Sequence, residues 1–129
     1  MSESPMPERR LTRCEMEVMD VVWRKGRATV QEVVDALDRS LAYTTVMTTL
    51  KILDEKRHVV RRTKHGRAYV YQPVVSRDEI GRTMIEELAD CLFRGSTKSL
   101  VLKLIESETM SPAERDELRL AILKLEGKQ

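Results

Sequence analysis

The chain has 129 residues, enough for one domain or for a small domain with an appendage. Aromatic residues make up only 4% of it, so the core must consist mainly of aliphatic side chains and methionine. The sequence has no apolar run of about 18 residues and no signal peptide, which predicts a cytoplasmic protein without membrane insertion. Cys14 and Cys91 lack CxxC spacing, so we expect two plain reduced thiols, with a disulfide between them as the alternative.

The formal net charge of +2 hides an asymmetry along the chain. Residues 40–72 hold seven basic residues against two acidic ones, whereas residues 73–129 hold nine against eleven. A basic middle suggests that this segment meets a polyanion, and the mildly acidic remainder suggests a different role for the tail.

The first part of the chain predicts two helices after a short tail. Residues 1–10 contain two prolines and no periodicity, which is typical of a frayed N-terminus. Thr12 and Glu15 fit a capping box that begins a helix, and Gly26 suits the left-handed position that ends it. A second capping box, formed by Thr29 and Glu32, predicts a short helix of about ten residues.

The segment from Ala42 to Arg57 predicts a third helix with two different faces. One face suits a core and holds Val46, Thr49, Leu50 and Leu53. The opposite side holds Thr44, Thr45, Met47, Thr48 and Lys51. Threonine is a mediocre helix former, but its hydroxyl and methyl groups can contact phosphates and base edges. We therefore interpret this segment as a DNA recognition helix; an ordinary amphipathic helix is the alternative.

A basic β-hairpin is predicted after this helix. Residues 58–63 and 68–72 are rich in Val, Tyr and Thr, and Gly66 between them suits a turn that needs positive φ. The hairpin carries Arg61, Arg62, Lys64, His65 and Arg67. Three helices followed by a basic hairpin indicate a winged helix-turn-helix domain over residues 11–73. A solvated hairpin whose charges only prevent aggregation is the alternative.

The remainder of the chain, residues 74–129, predicts three further helices. They make too small a unit for a good independent core, so we interpret them as a helical dimerisation domain. Folding back onto the N-terminal domain is the alternative. The apolar positions expected to form the dimer are Ile80, Met84, Leu88, Leu100, Val101, Leu104, Leu118, Ile122 and Leu125.

Together these features resemble the penicillinase-repressor family, which includes BlaI, MecI and the copper-responsive CopY. The resemblance extends from Leu11 to about Leu125 and depends on the order and spacing of several short pieces. These pieces are Leu11-Thr12 with Glu15, Glu17-Val18-Met19 through Trp23, Thr45-Val46, Leu50 to Leu53, Tyr69-x-Tyr71, and Ser99-Leu100-Val101-Leu102. The resemblance implies a homodimeric winged-helix transcriptional repressor that binds a double-stranded DNA operator of dyad symmetry.

The resemblance also implies how such a repressor is released, and here the chain departs from the family pattern. In the β-lactam members a membrane sensor-protease signals antibiotic, and the repressor is cut in its dimerisation region at an Asn-Phe pair. The matching pair here is Lys103-Leu104, so the same cleavage specificity is not implied. The copper-responsive members end in Cys-x-Cys motifs, whereas this chain has no cysteine after Cys91, so metal sensing of that type is not implied. We expect no metal site and no cofactor.

Two sets of DNA-contacting residues are therefore expected. Base contacts are expected from the start of the third helix, at Tyr43, Thr44, Thr45, Met47 and Thr48. Phosphate contacts, which fix register without specifying sequence, are expected from Lys51, Arg61, Arg62, Lys64 and Arg67.

Two other classes of protein are alternatives to a repressor. The chain has only two histidines, His58 and His65, and no Gly-rich phosphate loop or Ser/His/Asp arrangement, so we expect no enzyme. The other class is a helical protein-interaction module without a specific DNA target. Affinity for any duplex at low salt would distinguish such a module from a repressor.

Overall fold

The computed structural model describes residues 9–127, except for the side chains at positions 125 and 126. These residues form a mainly helical fold with one two-stranded antiparallel sheet, which confirms the predicted fold class. The elements are α1 Arg13–Lys25, α2 Val30–Ala36, α3 Tyr43–Glu55, β1 Val60–His65, β2 Ala68–Pro73, α4 Arg77–Leu92, α5 Thr97–Glu106 and α6 Pro112–Glu126. Of the predicted tail, residues 1–8 lie outside the described part.

The chain divides into two compact units, Met1–Leu88 and Ala89–Gln129. The first unit contains α1, α2, α3, the hairpin and most of α4, and the second contains α5 and α6. The predicted division of labour, with DNA binding in residues 11–73 and dimerisation in residues 74–129, concerns function and stays a prediction.

Reciprocal caps begin the first two helices as predicted. The Thr12 hydroxyl accepts a hydrogen bond from the Glu15 amide at 3.2 Å, and the Glu15 carboxylate accepts one from the Thr12 amide at 3.1 Å. Thr29 and Glu32 repeat this arrangement at the start of α2. However, α2 has seven residues and not about ten, because Leu37 is already extended, with φ −69° and ψ 139°.

The core of the first unit is built from α1, α2, α3 and the strands. The predicted inner face of α3 is confirmed, since Val46, Leu50 and Leu53 are fully buried. Burying an aliphatic side chain in this way contributes roughly 1.5–3 kcal/mol to stability. Thr49 is also buried, and its hydroxyl donates to the Thr45 carbonyl at 2.8 Å, so its polar group has a partner.

The hairpin has a tight turn and a third backbone partner. His65 pairs with Ala68, which leaves Gly66 and Arg67 as a two-residue turn. Gly66 has φ +64°, as the first position of a type II′ turn requires. Ala28, in the loop before α2, exchanges backbone hydrogen bonds of 3.0 and 2.8 Å with Tyr71. This hairpin, residues 60–73, which we call the wing, is thus fixed to the segment that leads into α2.

The beginning of α4 is anchored to α1 within the first unit. The Trp23 indole donates to the Val75 carbonyl at 2.9 Å, and the Arg77 guanidinium lies over the Trp23 ring at 5.1 Å. Arg77 also donates to Asp20 at 2.8 Å. Ile80, only 3% exposed, belongs to the core of this unit, and Met84 packs against that core.

The second unit leaves much of its apolar surface uncovered. Leu100 is buried in α5, but most of the other large aliphatic side chains of α5 and α6 are exposed. The exposed set in this unit is Leu92, Val101, Leu102, Leu104, Leu118, Leu120, Ile122 and Leu123. In the part of the chain that the structure describes, none of the helices combines the length and apolarity needed to cross a bilayer.

Candidate nucleic-acid interface

The N-terminal half of α3 presents a polar and aromatic surface, which we call the α3 face. Its members, Tyr43, Thr44, Thr45, Met47 and Thr48, are all exposed. The structure therefore brings all five predicted base-reading residues onto one accessible surface. Within residues 9–127, the hydroxyls of the three threonines have no hydrogen-bond partner, so they are free to bind a ligand.

The start of α3 differs from that of α1 and α2 in having no side-chain cap. Its N-cap residue is Ala42, which offers no acceptor to the amides of the first turn. The first amides of a helix have no partner inside the helix and carry partial positive charge. A phosphate oxygen is a suitable acceptor for them, so the exposed end of α3 favours an anionic backbone.

The register of the hairpin separates the predicted phosphate-binding residues. Arg62 lies opposite Tyr71 and Lys64 lies opposite Tyr69, so these four residues share one face of the sheet. Because side chains alternate along a strand, Arg61 lies on the other face. Arg67 lies in the turn, and Lys51 is exposed on α3.

The Arg62 side chain lies close to two tyrosines, Tyr69 and Tyr71. Its guanidinium carbon lies 4.3 Å from the centroid of the Tyr69 ring, and the Lys64 ammonium lies 5.9 Å from the same centroid. Tyr71 is only 3% exposed, and burial raises the pKa of its phenol, while the nearby Arg62 opposes that rise. Tyr69 is 42% exposed, so its ring forms an accessible platform for both cations.

Sequence reasoning did not assign Tyr69 to the site. The signal that identifies it is the diagonal position of Arg62 relative to Tyr69 across the strand pair, which aromatic and long side chains can bridge. This relationship depends on the register, and the register follows from the two-residue turn at Gly66 and Arg67.

Arg57 contributes less to the basic surface than the sequence count implied. Its guanidinium contacts the Glu15 carboxylate at 3.1 Å, and the two side chains are only 18% and 6% exposed. Arg9 donates to the carbonyls of Arg57 and His58 at 3.3 and 3.1 Å. These contacts tie α1 and the N-terminal segment to the end of α3, opposite to the α3 face, so Arg57 has a structural role.

The residues predicted to dimerise occupy different environments. Leu88, Val101, Leu104, Leu118 and Ile122 are exposed, as a dimer contact requires. Ile80 and Leu100 are buried and Met84 is half-buried, so Ile80 and Met84 serve the core of the first unit instead. The side chain of Leu125 lies outside the described part.

The suggested cleavage region lies inside a helix. Lys103 and Leu104 are exposed, but both belong to α5, Thr97–Glu106. A protease needs an extended backbone, so cleavage at this pair requires local unfolding of α5.

The cysteines and the potential metal ligands do not form a site among residues 9–127. Cys14 is half-buried, with its sulfur 3.6 Å from the Thr49 hydroxyl, and Cys91 is exposed; both are free thiols. No group of three His, Cys, Asp or Glu residues in this range is arranged to hold a metal ion.

The chain is similar in sequence and in structure to known proteins. The sequence model of one family, described as penicillinase repressor, matches residues 11–124. The transcriptional regulator BlaI of Mycobacterium tuberculosis is 39% identical over 122 residues, covering 92% of this chain and 86% of that protein. The penicillinase repressor of Bacillus licheniformis is 27% identical, covering 81% and 82%. The solution structure of the DNA-binding domain of the repressor BlaI matches with a TM-score of 0.50 at 26% identity, covering 60% of this chain and 93% of that one.

Proposed function

This chain belongs to the penicillinase-repressor family, and on that premise we propose that it binds a dyad DNA operator as a homodimer and represses transcription. The observation that carries the proposal is the α3 face, where unpaired threonine hydroxyls and uncapped amides are exposed in the same unit as a basic wing. Family members are transcriptional repressors and not enzymes. A repressor that binds genomic DNA in this way would act in the cytoplasm.

In this proposal the N-terminal half of α3 enters the major groove. Thr44, Thr45 and Thr48 offer hydroxyls to base edges or phosphates, and their methyl groups suit the thymine methyl. Met47 and Tyr43 add apolar contact at the same level. Those of these contacts that reach base edges specify the sequence.

The phosphate contacts come from two elements of the first unit. Lys51 projects from α3, and Arg62 and Lys64 project from the wing on the face that carries Tyr69. These contacts neutralise phosphates and position the domain without reading bases. Arg61 and Arg67 extend the positive charge to the other face and to the tip of the wing.

We also propose that the second unit forms the dimer. Its exposed aliphatic side chains on α5 and α6 are more than a soluble monomer needs to expose, and such patches mark interaction sites. A second copy of the chain is the occupant that suits a dyad operator, because it brings two α3 faces to two half-sites. The two weak half-site contacts then gain effective concentration from the dimer.

Relief of repression follows from the same arrangement. Cutting or loosening α5 or α6 would separate the two recognition helices and convert a tight dimer into weakly bound monomers. A membrane sensor-protease or a downstream protease is the proposed agent. Because Lys103 and Leu104 lie within α5, we expect cleavage there to be slow unless α5 first unwinds.

The experiment that tests the proposal is a gel shift on DNA upstream of the chain's own gene, over a salt series, with random duplex as competitor. We expect retention on the upstream DNA against excess competitor and a steep loss of affinity with salt. Absence of binding at low salt would contradict the DNA proposal and would favour a protein-interaction module that uses α5 and α6.

A further inference from the structure

A second positively charged surface lies beside the wing, outside the residues assigned above. It is a cleft of about 420 Å³ in the first unit, between the wing and the segment that runs from the end of α1 through the loop to the first turn of α2. We call it the wing cleft, and it is lined by Lys25, Arg27, Glu32, His65 and Val70. Because side chains alternate along a strand, His65 and Val70 lie on the face opposite to Tyr69 and Tyr71.

The backbone holds the two walls of the wing cleft together. Ala28 follows Arg27 directly, and its hydrogen bonds of 3.0 and 2.8 Å to Tyr71 pin this loop to β2. The capping box of Thr29 and Glu32 fixes the next residues at the start of α2. Lys25 at the end of α1 and Arg27 in the loop are therefore held beside the wing by backbone and capping hydrogen bonds.

The charges of the wing cleft favour an anion. Within residues 9–127, neither Lys25 nor Arg27 forms an ion pair, and both are exposed. The carboxylate that lines the wing cleft, Glu32, accepts a hydrogen bond from the Thr29 amide at 2.8 Å. Hydrogen bonds from Thr29 lower the pKa of Glu32, with a smaller contribution from Lys25 and Arg27. Two unpaired cations and the His65 imidazole thus face a single carboxylate that is engaged in a cap.

The wing cleft continues the basic tip of the wing. His65 is the last residue of β1 and pairs with Ala68 across the turn that contains Arg67. Lys64 precedes His65 and projects to the other face. A chain of phosphates that passes the tip would therefore meet cations on both sides of the hairpin.

We propose that the wing cleft binds the sugar–phosphate backbone of the operator through Lys25, Arg27 and His65. This inference rests on the proposed function and adds a second set of phosphate contacts, on the opposite face of the wing from Arg62 and Lys64. The ligand is the phosphodiester of duplex DNA, so the contacts carry no sequence preference.

The expected size of the effect follows from counterion release. Each phosphate neutralised contributes about −0.9 to the slope of log K against log salt, or roughly fivefold in affinity at 0.15 M salt. Removing both cations should therefore reduce the magnitude of the slope by about 1 to 2. The preference among operator sequences should not change.

The primary test compares two double variants of the full chain. Lys25→Gln with Arg27→Gln removes the cations of the wing cleft. Arg13→Gln with Lys56→Gln removes the same formal charge from exposed positions at the start of α1 and just after the end of α3. We expect the first variant to lose about fivefold or more in operator affinity at 0.15 M salt and the second to lose much less. Equal salt slopes for the two variants would overturn the assignment.

Glu32→Gln provides a test by gain of affinity. Gln is also found at the third position of a capping box, so the fold should be kept while the negative charge is removed. We expect tighter binding of every duplex by a few-fold, with a small loss of thermal stability because the charged Glu32 stabilises the start of α2. Unchanged or weaker binding by a variant that is still fully folded at the assay temperature would count against the wing cleft.

A third measurement locates the contact on the DNA. Single phosphates of the operator are replaced by uncharged methylphosphonates, one at a time. At the contacted position the replacement should weaken binding of the operator by the parent chain. It should not weaken binding by the variant that lacks Lys25 and Arg27. If no position shows this difference, the wing cleft does not bind the backbone. If the parent binds no duplex at all, the proposed function fails together with this inference.

Discussion

The guanidinium carbon of Arg62 lies 4.3 Å from the centroid of the Tyr69 ring, so a cation of the wing is held on an exposed aromatic platform. The ring limits the rotamers of a side chain that would otherwise move freely, and it does so before any DNA arrives. Less conformational entropy is then lost when Arg62 binds a phosphate.

This relationship predicts different behaviour for two substitutions of Tyr69. Tyr69→Leu removes the platform and should weaken binding of all duplexes by about 0.5–1 kcal/mol, the size of an exposed cation–π contact. Tyr69→Phe keeps the ring and should bind nearly as the parent does. Titration of labelled duplex measures both. If Tyr69→Leu and Tyr69→Phe lost equal affinity for duplex DNA, the phenol hydroxyl and not the ring would be responsible.

The ion pair of Glu15 and Arg57 predicts that substitution of Arg57 lowers the stability of the fold without removing a DNA contact. Arg57→Ala leaves a nearly buried carboxylate without its cation, which should lower the free energy of unfolding by about 3 kcal/mol. Urea denaturation measures this loss. Arg39→Ala breaks an exposed ion pair with Glu17 and serves as the control, with little change expected. A similar change for the two variants would contradict the structural role of Arg57.

The sequence predicted those parts of this arrangement that depend on local pattern. The inner face of α3 could be predicted from the helical period alone, and the caps of α1 and α2 from their spacing. The contact of Arg57 with Glu15 could not be predicted, because it joins residues far apart in the chain. Ile80 fits an amphipathic helix equally well whether it faces a partner or its own core. Only tertiary packing decides between these two.

The contact between α1 and α4 predicts a dependence of stability on pH. Hydrogen bonds from Arg77, and then Arg24, lower the pKa of Asp20 despite some desolvation. A lowered carboxyl pKa adds stability above the unfolded-state value, about pH 4, and this stability is lost as the pH falls through the folded-state pKa.

Asp20→Asn should remove that contribution, so the variant should lose less stability than the parent as the pH is lowered from about 5 to 2. The fluorescence of Trp23, whose indole donates to Val75, reports this region directly. Asp116→Asn on α6 is the control and should follow the parent. An acid profile of Asp20→Asn that matches the parent would contradict the role of this contact.

The exposed side chains of the second unit predict a change of oligomeric state. Ile122→Glu places a charge on the apolar surface of α6, and it should convert the dimer into monomers in analytical ultracentrifugation. Lys124→Glu changes the charge more strongly at a neighbouring exposed position and should leave the dimer intact. A parent chain that sediments as a monomer at all concentrations would contradict the dimer proposal.

The most direct test of the central claim, that the α3 face reads sequence, is a binding profile over a library of randomised operators. Thr48→Ala should cost about 1–3 kcal/mol on the preferred operator and relax one position in each half-site. Arg62→Ala should weaken all sequences alike, because it contacts phosphates. If Thr48→Ala also weakens every sequence equally and leaves the preference at each position unchanged, α3 does not read the operator.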